Sequence, residues 1–202
     1  MDDIMDAGAR ARTTQDRVSQ VTSFTLVGVD ARPVTVEVSV RNGYPRTAIV
    51  GLPDLSVRES RERVEAAIKA SGLSFPDRRI TINLSPAELP KEGAVFDLPV
   101  ALAIVAEEGG VARDALRGWA IAGELSLDGS VRPVRGVLAM AMEIARGPGA
   151  IRRLMVPLAN ATEAEIVEGV EVAAVTSLRE AVASLRGHPP SRKGRSLSLI
   201  HI

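Results

Sequence analysis

The sequence predicts an α/β fold, built as α+β layers, in which strands and helices alternate along a chain of 202 residues. Three observations support this prediction. Residues 34–41 alternate apolar and polar side chains, which is the period of a half-buried strand. Residues 100–106 are apolar nearly all round, as in a helix buried between layers. Turn signals separate the periodic segments, and 46% hydrophobic residues suffice for one good core, so we expect a single domain.

The first half of the domain is predicted as three strands, a helix and a fourth strand. Ser56 followed by Glu59 is typical of a capping box, which predicts the start of a helix that runs to about Ala70. Gly72 then supplies the stop. The predicted strands cover residues 24–29, 34–41, 47–50 and 80–84.

The second half is predicted as the buried helix, a hairpin and two further pairs of strand and helix. We expect Asp97 to cap the buried helix, with Pro99 in the first turn, where a missing N–H costs nothing. Asp128-Gly129 between apolar runs predicts a hairpin, and Asn160 is expected to cap a turn or the helix after it. The remaining elements are predicted at residues 119–127, 131–134, 137–146, 154–157, 162–167, 170–175 and 177–185.

Composition excludes several classes of protein. Cysteine is absent, which excludes disulfides and cysteine-based metal sites, and the two histidines, His188 and His201, both fall in the tail. No apolar run reaches the ~18 residues of a membrane span, and no signal peptide is present, so we expect a cytoplasmic protein without a membrane partner. The net charge is zero and aromatic residues make up 2%, so contact with nucleic acid would need a local patch.

The most suggestive stretch for chemistry is LSPAELPKEGAVFDLP, residues 84–99, where a strand leads through a charged loop into the buried helix. Lys91, Glu92 and Asp97 are its candidate interaction or structural residues. Glu88, Glu92 and Asp97 are conceivable as paired carboxylates or a magnesium site, but a cap at Asp97 and solvated surface at the two glutamates also explain them. Glu124 lies within an apolar run, and we expect a structural salt bridge to Arg132 or Arg135 across the hairpin.

A second group of residues suggests contact with DNA. Arginines near the predicted first helix and the following strand could form a basic face; the candidates are Arg58, Arg61, Arg78 and Arg79. Arg63 and Lys91 could extend this face. The alternative is pairing within the helix, because glutamates alternate with the arginines along it.

Several segments together resemble one family. They are IVGLPD at 49–54, ESRERV at 59–64, LPKEG at 89–93, FDLP at 96–99, GELSLDGSVRPVRG at 123–136 and VPLANATEA at 156–164. In order and spacing they resemble the N-terminal domain of the YifB/ComM family of magnesium-chelatase-like AAA+ ATPases, over about residues 18–187. The resemblance implies a Lon-peptidase-like, ribosomal-protein-S5-domain-2-like fold with a mixed sheet and packed helices, including a left-handed βαβ crossover.

The likeness to Lon implies a position for a catalytic serine and for the lysine that activates it. The serine position matches Val95, two residues after Gly93, and the lysine position falls just after Gly136, where Val137 to Met140 stand. Because nucleophilic catalysis needs both groups within hydrogen-bond reach, we expect neither catalytic residues nor a cofactor or metal site in this chain. A divergent Lon-like serine peptidase and a metal-chelatase subunit remain the enzyme alternatives.

The function that the resemblance implies belongs to a larger machine. We expect a non-catalytic domain that contributes to the assembly or the DNA access of an ATP-driven, ring-forming machine for branch migration in natural transformation. Its partners would be the AAA+ module of the same polypeptide and neighbouring subunits. The chain has no G-x-x-x-x-G-K-[ST] sequence, so ATP and Mg²⁺ are expected only in that AAA+ module. A stand-alone regulatory binding domain is a further alternative.

The ends of the chain carry separate expectations. Residues 1–17 are predicted as a flexible leader and residues 18–187 as the Lon-like domain. Residues 188–196 have the composition of an interdomain linker. Residues 197–202, LSLIHI, resemble a translated sequencing adapter, so we expect an artefact of a truncated reading frame.

Overall fold

The computed structural model describes residues 18–188. The predicted leader at 1–17, the predicted artefact at 197–202 and all of the predicted linker after His188 lie outside the described residues. Within residues 18–188, no helix is long and apolar enough to cross a membrane.

The core of the domain is a mixed seven-stranded sheet, which confirms the predicted α/β class. Its strands are β1 (Ser19–Val27), β2 (Asp30–Arg41), β3 (Arg46–Val50), β4 (Arg79–Ser85), β5 (Trp119–Ile121), β8 (Arg153–Pro157) and β9 (Glu171–Val175), in the spatial order β3-β4-β2-β1-β5-β8-β9. The pairs β1–β2 and β2–β4 are antiparallel, and the remaining four pairs are parallel. A separate two-stranded ribbon joins β6 (Glu124–Leu125) to β7 (Val131–Arg132).

Five α-helices cover the sheet unequally. They are α1 (Leu55–Ala70), α2 (Asp97–Glu107), α3 (Val137–Arg146), α4 (Ala161–Glu165) and α5 (Leu178–Leu185). Helices α1, α2 and α5 share one apolar cluster with the front of the sheet, whereas α3 and α4 pack on the back of β5, β8 and the β1–β2 hairpin. Along α2 every residue from Asp97 to Ala106 is buried, as the sequence predicts.

The back of β3, β4 and the C-terminal half of β2 carries no helix from the described part of the chain. On β4 the apolar residues Ile80, Ile82 and Leu84 face α1 and α2, so the alternating residues Arg79, Thr81 and Asn83 face away from them. Polar side chains can remain hydrated there, which is the usual arrangement for a strand with one open face. The sheet therefore offers an uncovered polar surface at its β3 edge.

Several local predictions need correction. Strand β1 begins at Ser19, five residues earlier than expected. The cap of α1 is Asp54, whose carboxylate accepts the Val57 N–H at 2.7 Å, so the capping box predicted from Ser56 is wrong. Both residues are good caps by type, and the turn before the helix decides between them.

The predicted strand at 119–127 is two short strands instead of one. Gly123 separates them, because its N–H donates to the Val95 carbonyl and its carbonyl accepts the Leu98 N–H. A Cβ at Gly123 would lie 3.1 Å from Leu98, so the chain passes close to the start of α2. The turn at Asp128-Gly129 does form a hairpin, but it joins β6 to β7 outside the main sheet.

Candidate functional site

A cleft of about 540 Å³ lies where the charged loop meets the start of α2. Its twelve lining residues come from four separate stretches of chain: the end of β1, the turn before α1, the loop at 92–95 and the segment from β6 to α3. They are Phe24, Leu26, Asp54, Glu92, Gly93, Ala94, Val95, Glu124, Pro133, Val134, Arg135 and Met140. The structure thus brings together two parts of the sequence that the resemblance to Lon pairs, namely Val95 and the segment around Gly136.

Two hydrogen bonds between side chains and the backbone hold the charged loop at the cleft. Gly93 has φ +78 and donates its N–H to the second carboxylate oxygen of Asp54 at 3.2 Å, so one aspartate both caps α1 and fixes the charged loop. The Thr25 hydroxyl donates to the Pro90 carbonyl at 2.8 Å and ties the same loop to β1. Sequence reasoning missed the role of Asp54, because the loop it holds lies 39 residues away.

The opposite wall depends on Asn160. Its side-chain oxygen accepts the Val134 N–H at 3.0 Å, and its amide nitrogen donates to the Val134 carbonyl at 2.9 Å. Asn160 occupies the N-cap position of α4, but its side chain bonds to Val134 and Glu163 and makes no capping hydrogen bond to the helix, so the predicted helix-capping role of the side chain is wrong. Val134 lines the cleft, and Asn160 therefore sets the position of this wall.

Asp97 lies behind the cleft and is fully buried. Two of its contacts come from Arg63 of α1, whose Nε and one terminal nitrogen lie 2.7 and 3.1 Å from the carboxylate oxygens. The Leu125 N–H adds a third donor at 3.2 Å. Asp97 is the first residue of α2 rather than its cap, so the predicted capping role is wrong. The residue instead joins α1, α2 and β6.

Burial sets the electrostatics of this pair. Desolvation raises the pKa of Asp97 to about 6, against the opposing effect of Arg63 and the Leu125 N–H, and the charge of Glu124 raises it further. The pKa of Arg63 is also raised, chiefly by its hydrogen bond to Asp97. Arg63 therefore points toward Asp97, and the prediction that it could extend the basic face is wrong.

Lys91 is fully buried, so the prediction that it could extend the basic face is wrong. Its ammonium donates to the Pro86 carbonyl, and its backbone carbonyl accepts the Asp54 N–H at 3.0 Å. Desolvation lowers the pKa of Lys91, while the charge of Glu88 opposes this shift. Lys91 therefore fastens the charged loop to the end of β4 and faces neither DNA nor the cleft.

Of the other predicted site residues, three line the cleft and Arg132 does not. Glu92, Glu124 and Arg135 line the cleft. Arg132 lies directly opposite Glu124 in the ribbon, but its guanidinium donates to the Ser126 hydroxyl. No ion pair within residues 18–188 includes Glu124, so the predicted salt bridge is wrong.

The four arginines predicted to face DNA do not form one surface. Arg58 and Arg61 lie on exposed positions of α1, and Arg61 is 3.7 Å from Glu62. Arg78 is paired with Glu108 near the end of α2. Arg79 points to the uncovered back of the sheet, on the side opposite α1.

The chemistry available in the cleft is limited. Three carboxylates and one guanidinium line it, and none of the twelve lining residues is serine, lysine, histidine or cysteine. In the part of the chain that the structure describes, no group of three or more acidic, histidine or cysteine side chains is placed to hold a metal ion. The arrangement can bind a cationic or hydrogen-bonding group, but none of its side chains is a serine or lysine for peptidase chemistry.

Fold and cleft together define a mixed α/β domain whose charged loop and buried helix frame a cleft without a Ser-Lys pair. The family model described as subunit ChlI of Mg-chelatase matches residues 36–160. The chain belongs to the YifB/ComM family of magnesium-chelatase-like proteins and corresponds to its N-terminal domain.

Three relatives illustrate the relationship. The uncharacterized protein YifB of Salmonella typhimurium is 43% identical over 70% of this chain and 27% of its own length. The uncharacterized protein Mb2921c of Mycobacterium bovis is 41% identical over 82% of this chain and 32% of its own. The competence protein ComM of Haemophilus influenzae is 36% identical over 83% of this chain and 32% of its own length. The chain thus spans about a third of the length of the curated relatives that it matches.

Proposed function

We propose that this chain is a non-catalytic domain that contributes to the assembly or the DNA access of a magnesium-chelatase-like AAA+ ATPase. The observation that carries the proposal is the composition of the cleft. Val95 and the segment at 134–140 meet there, at the positions where a Lon-like peptidase would hold its serine and lysine, and they supply no nucleophile. The domain is therefore assigned a binding role rather than a chemical one.

Exposed apolar side chains near the cleft support a role in assembly. Leu52 is 58% exposed and Leu55 is 71% exposed, on the turn that leads into α1. Leu52 also has φ +58, a conformation that is uncommon for leucine. Clustered exposed apolar residues of this kind are typical of protein contact surfaces. The partners in the proposal are the AAA+ module of the same polypeptide and neighbouring subunits of a ring.

The relatives support the wider setting. One relative is named a competence protein, which agrees with the setting in natural transformation that the family resemblance implies. In the proposal, ATP and Mg²⁺ bind the AAA+ module, and the whole machine remodels DNA in the cytoplasm during recombination.

The test uses the 202-residue chain in sedimentation velocity and in binding to a fluorescent four-way DNA junction at low salt. Self-association that Leu52→Ser and Leu55→Ser weaken supports the assembly role. Leu127→Ser is the matched control, because Leu127 is 61% exposed on the β6–β7 hairpin. A chain that stays monomeric and also ignores the junction contradicts both proposed roles.

The peptidase alternative has its own test. A serine-directed fluorophosphonate probe and a fluorogenic peptide are incubated with the chain. We expect no labelling and no cleavage above a heat-denatured control. Labelling of any serine contradicts the non-catalytic assignment.

A further inference from the structure

From the uncovered back of the sheet we infer a binding site for single-stranded DNA, formed by three arginines in one row and by Tyr44 on the adjoining turn. The inference rests on the proposed function, in that it names the surface of the domain that would contact DNA. The site is distinct from the cleft, which faces the start of α2.

The row follows from strand register. Arg79 on β4 lies directly opposite Arg41 of β2 on one side and Arg46 of β3 on the other. Paired residues on neighbouring strands point to the same face, and strands lie ~4.8 Å apart, so the row spans ~10 Å. That length covers about three intervals of ~3.4 Å, the axial spacing of successive phosphates on one strand of B-DNA.

The charge of this row is concentrated. Like charges placed opposite each other in a sheet repel, and a bound polyanion would relieve that repulsion. Within residues 18–188 neither Arg46 nor Arg79 has an ion-pair partner. Glu37 lies on the same face, where Ser39 separates it from Arg41 along β2, and its carboxylate oxygens accept hydrogen bonds from Gln20 and Asn83, each at 2.8 Å.

Neutral polar groups surround the row. Ser39, Asn42 and Thr81 line, together with Arg41 and Arg79, a shallow cavity of about 400 Å³. Hydroxyl and amide groups beside arginines are typical partners of the sugar-phosphate backbone, where they position the strand without reading its sequence.

Tyr44 distinguishes this surface from a general anion site. It lies in the turn 42–45 between Arg41 and Arg46, and it is 88% exposed. The chain has five aromatic residues, and the other four are buried or half-buried: Phe24, Phe75, Phe96 and Trp119. A low aromatic content argues against a broad stacking surface, but one exposed ring on the turn between Arg41 and Arg46 suffices to stack one unpaired base.

The turn is held close to the row. Gly43 has φ +147, and a Cβ built there would lie 3.9 Å from the Cβ of Arg79. Tyr44 follows Gly43 directly, so the backbone that bears the phenol lies next to the backbone of Arg79, the central arginine of the row. A strand whose phosphates lie along the row can place a neighbouring base on Tyr44, which duplex DNA, with its bases stacked inside, does not offer.

The test measures fluorescence anisotropy of the 202-residue chain with a labelled single strand of about 20 thymidines and with a duplex of equal length. Tyr44→Ala is expected to weaken single-strand binding about tenfold and to leave duplex binding within about twofold. Tyr44→Phe, which keeps the ring, is expected to restore binding.

A second test removes two positive charges from the row and, as a matched control, two from α1. The double variant Arg46→Gln/Arg79→Gln is expected to weaken single-strand binding at least about tenfold and to lower the slope of log affinity against log salt by ~1.4. The control, Arg58→Gln/Arg61→Gln, removes the same charge from α1 and is expected to bind within about twofold of the wild type. Circular dichroism melting confirms that each variant is folded.

Three outcomes overturn the inference, and they separate it from the proposed function. If Tyr44→Ala binds the single strand like the wild type, the row is a general anion surface. If the α1 control loses as much affinity as the row variant, DNA contact lies elsewhere on the domain and the proposed function stands. If the wild type self-associates but binds neither DNA, the assembly role stands without this site.

Discussion

The buried pair of Arg63 and Asp97 predicts an unusual pH dependence of folding stability. In the folded state desolvation raises the pKa of Asp97 to about 6, from the 3.8 that is ordinary for an aspartate. Between these two values the folded state binds more protons than the unfolded state, so this group favours folding most below its unfolded pKa. Its contribution is lost as the pH rises through about 6.

The magnitude follows from the size of the shift. About two pKa units at ~1.4 kcal/mol each correspond to about 3 kcal/mol. The perturbation that isolates this contribution is Asp97→Asn, which keeps the shape of the side chain but does not titrate. The unfolding free energy of the wild type, minus that of Asp97→Asn, should therefore fall by about 3 kcal/mol between about pH 3.5 and about pH 7.5.

The assay is urea denaturation followed by circular dichroism at several pH values across this range. Asp128→Asn is the control with the opposite sign. Hydrogen bonds from the Ser130 N–H and hydroxyl lower the pKa of the exposed Asp128, so its small contribution is lost as the pH falls. A difference for Asp97→Asn that stays constant or grows with pH would refute the reasoning, because it would mean that Arg63 outweighs desolvation.

Gly51→Ala should destabilise the fold by about 2–4 kcal/mol in urea denaturation, because φ is +101 and the new Cβ would lie 2.0 Å from a strand carbonyl oxygen. Gly28→Ala, with φ +64 and open space, should cost about 1 kcal/mol, and equal losses would contradict the steric argument. Asn160→Ala should cost about 2 kcal/mol, since both Val134 backbone groups lose their partner; a neutral effect would count against that clamp. Lys91→Met removes an amine whose folded pKa is lowered, so the wild type should gain stability relative to this variant as the pH rises toward 10.5; urea midpoints that diverge the other way would disprove desolvation as the cause.

The sequence by itself determined the elements whose signals are local. Helix α3 was predicted at residues 137–146 and occupies Val137–Arg146, because its apolar period and flanking glycines lie within the segment. The burial of α2 was predicted because its side chains are apolar nearly all round, which is also a property of the segment alone. The alternation at 34–41 correctly assigned the core face of β2.

Only the tertiary structure decided what the charged residues do. Asp97 is predicted as a helix cap and Lys91 as part of a basic face, yet both side chains are buried. Their partners, Arg63 on α1 and the Pro86 carbonyl after β4, are set by packing rather than by neighbours in sequence. The candidate cleft was foreseen in part, through the loop at 84–99, but nothing local in the sequence linked Asp54, Arg63 or Asn160 to it. The arginine row at residues 41, 46 and 79 exists only through the register of three strands, and register depends on long-range pairing that sequence periodicity leaves open.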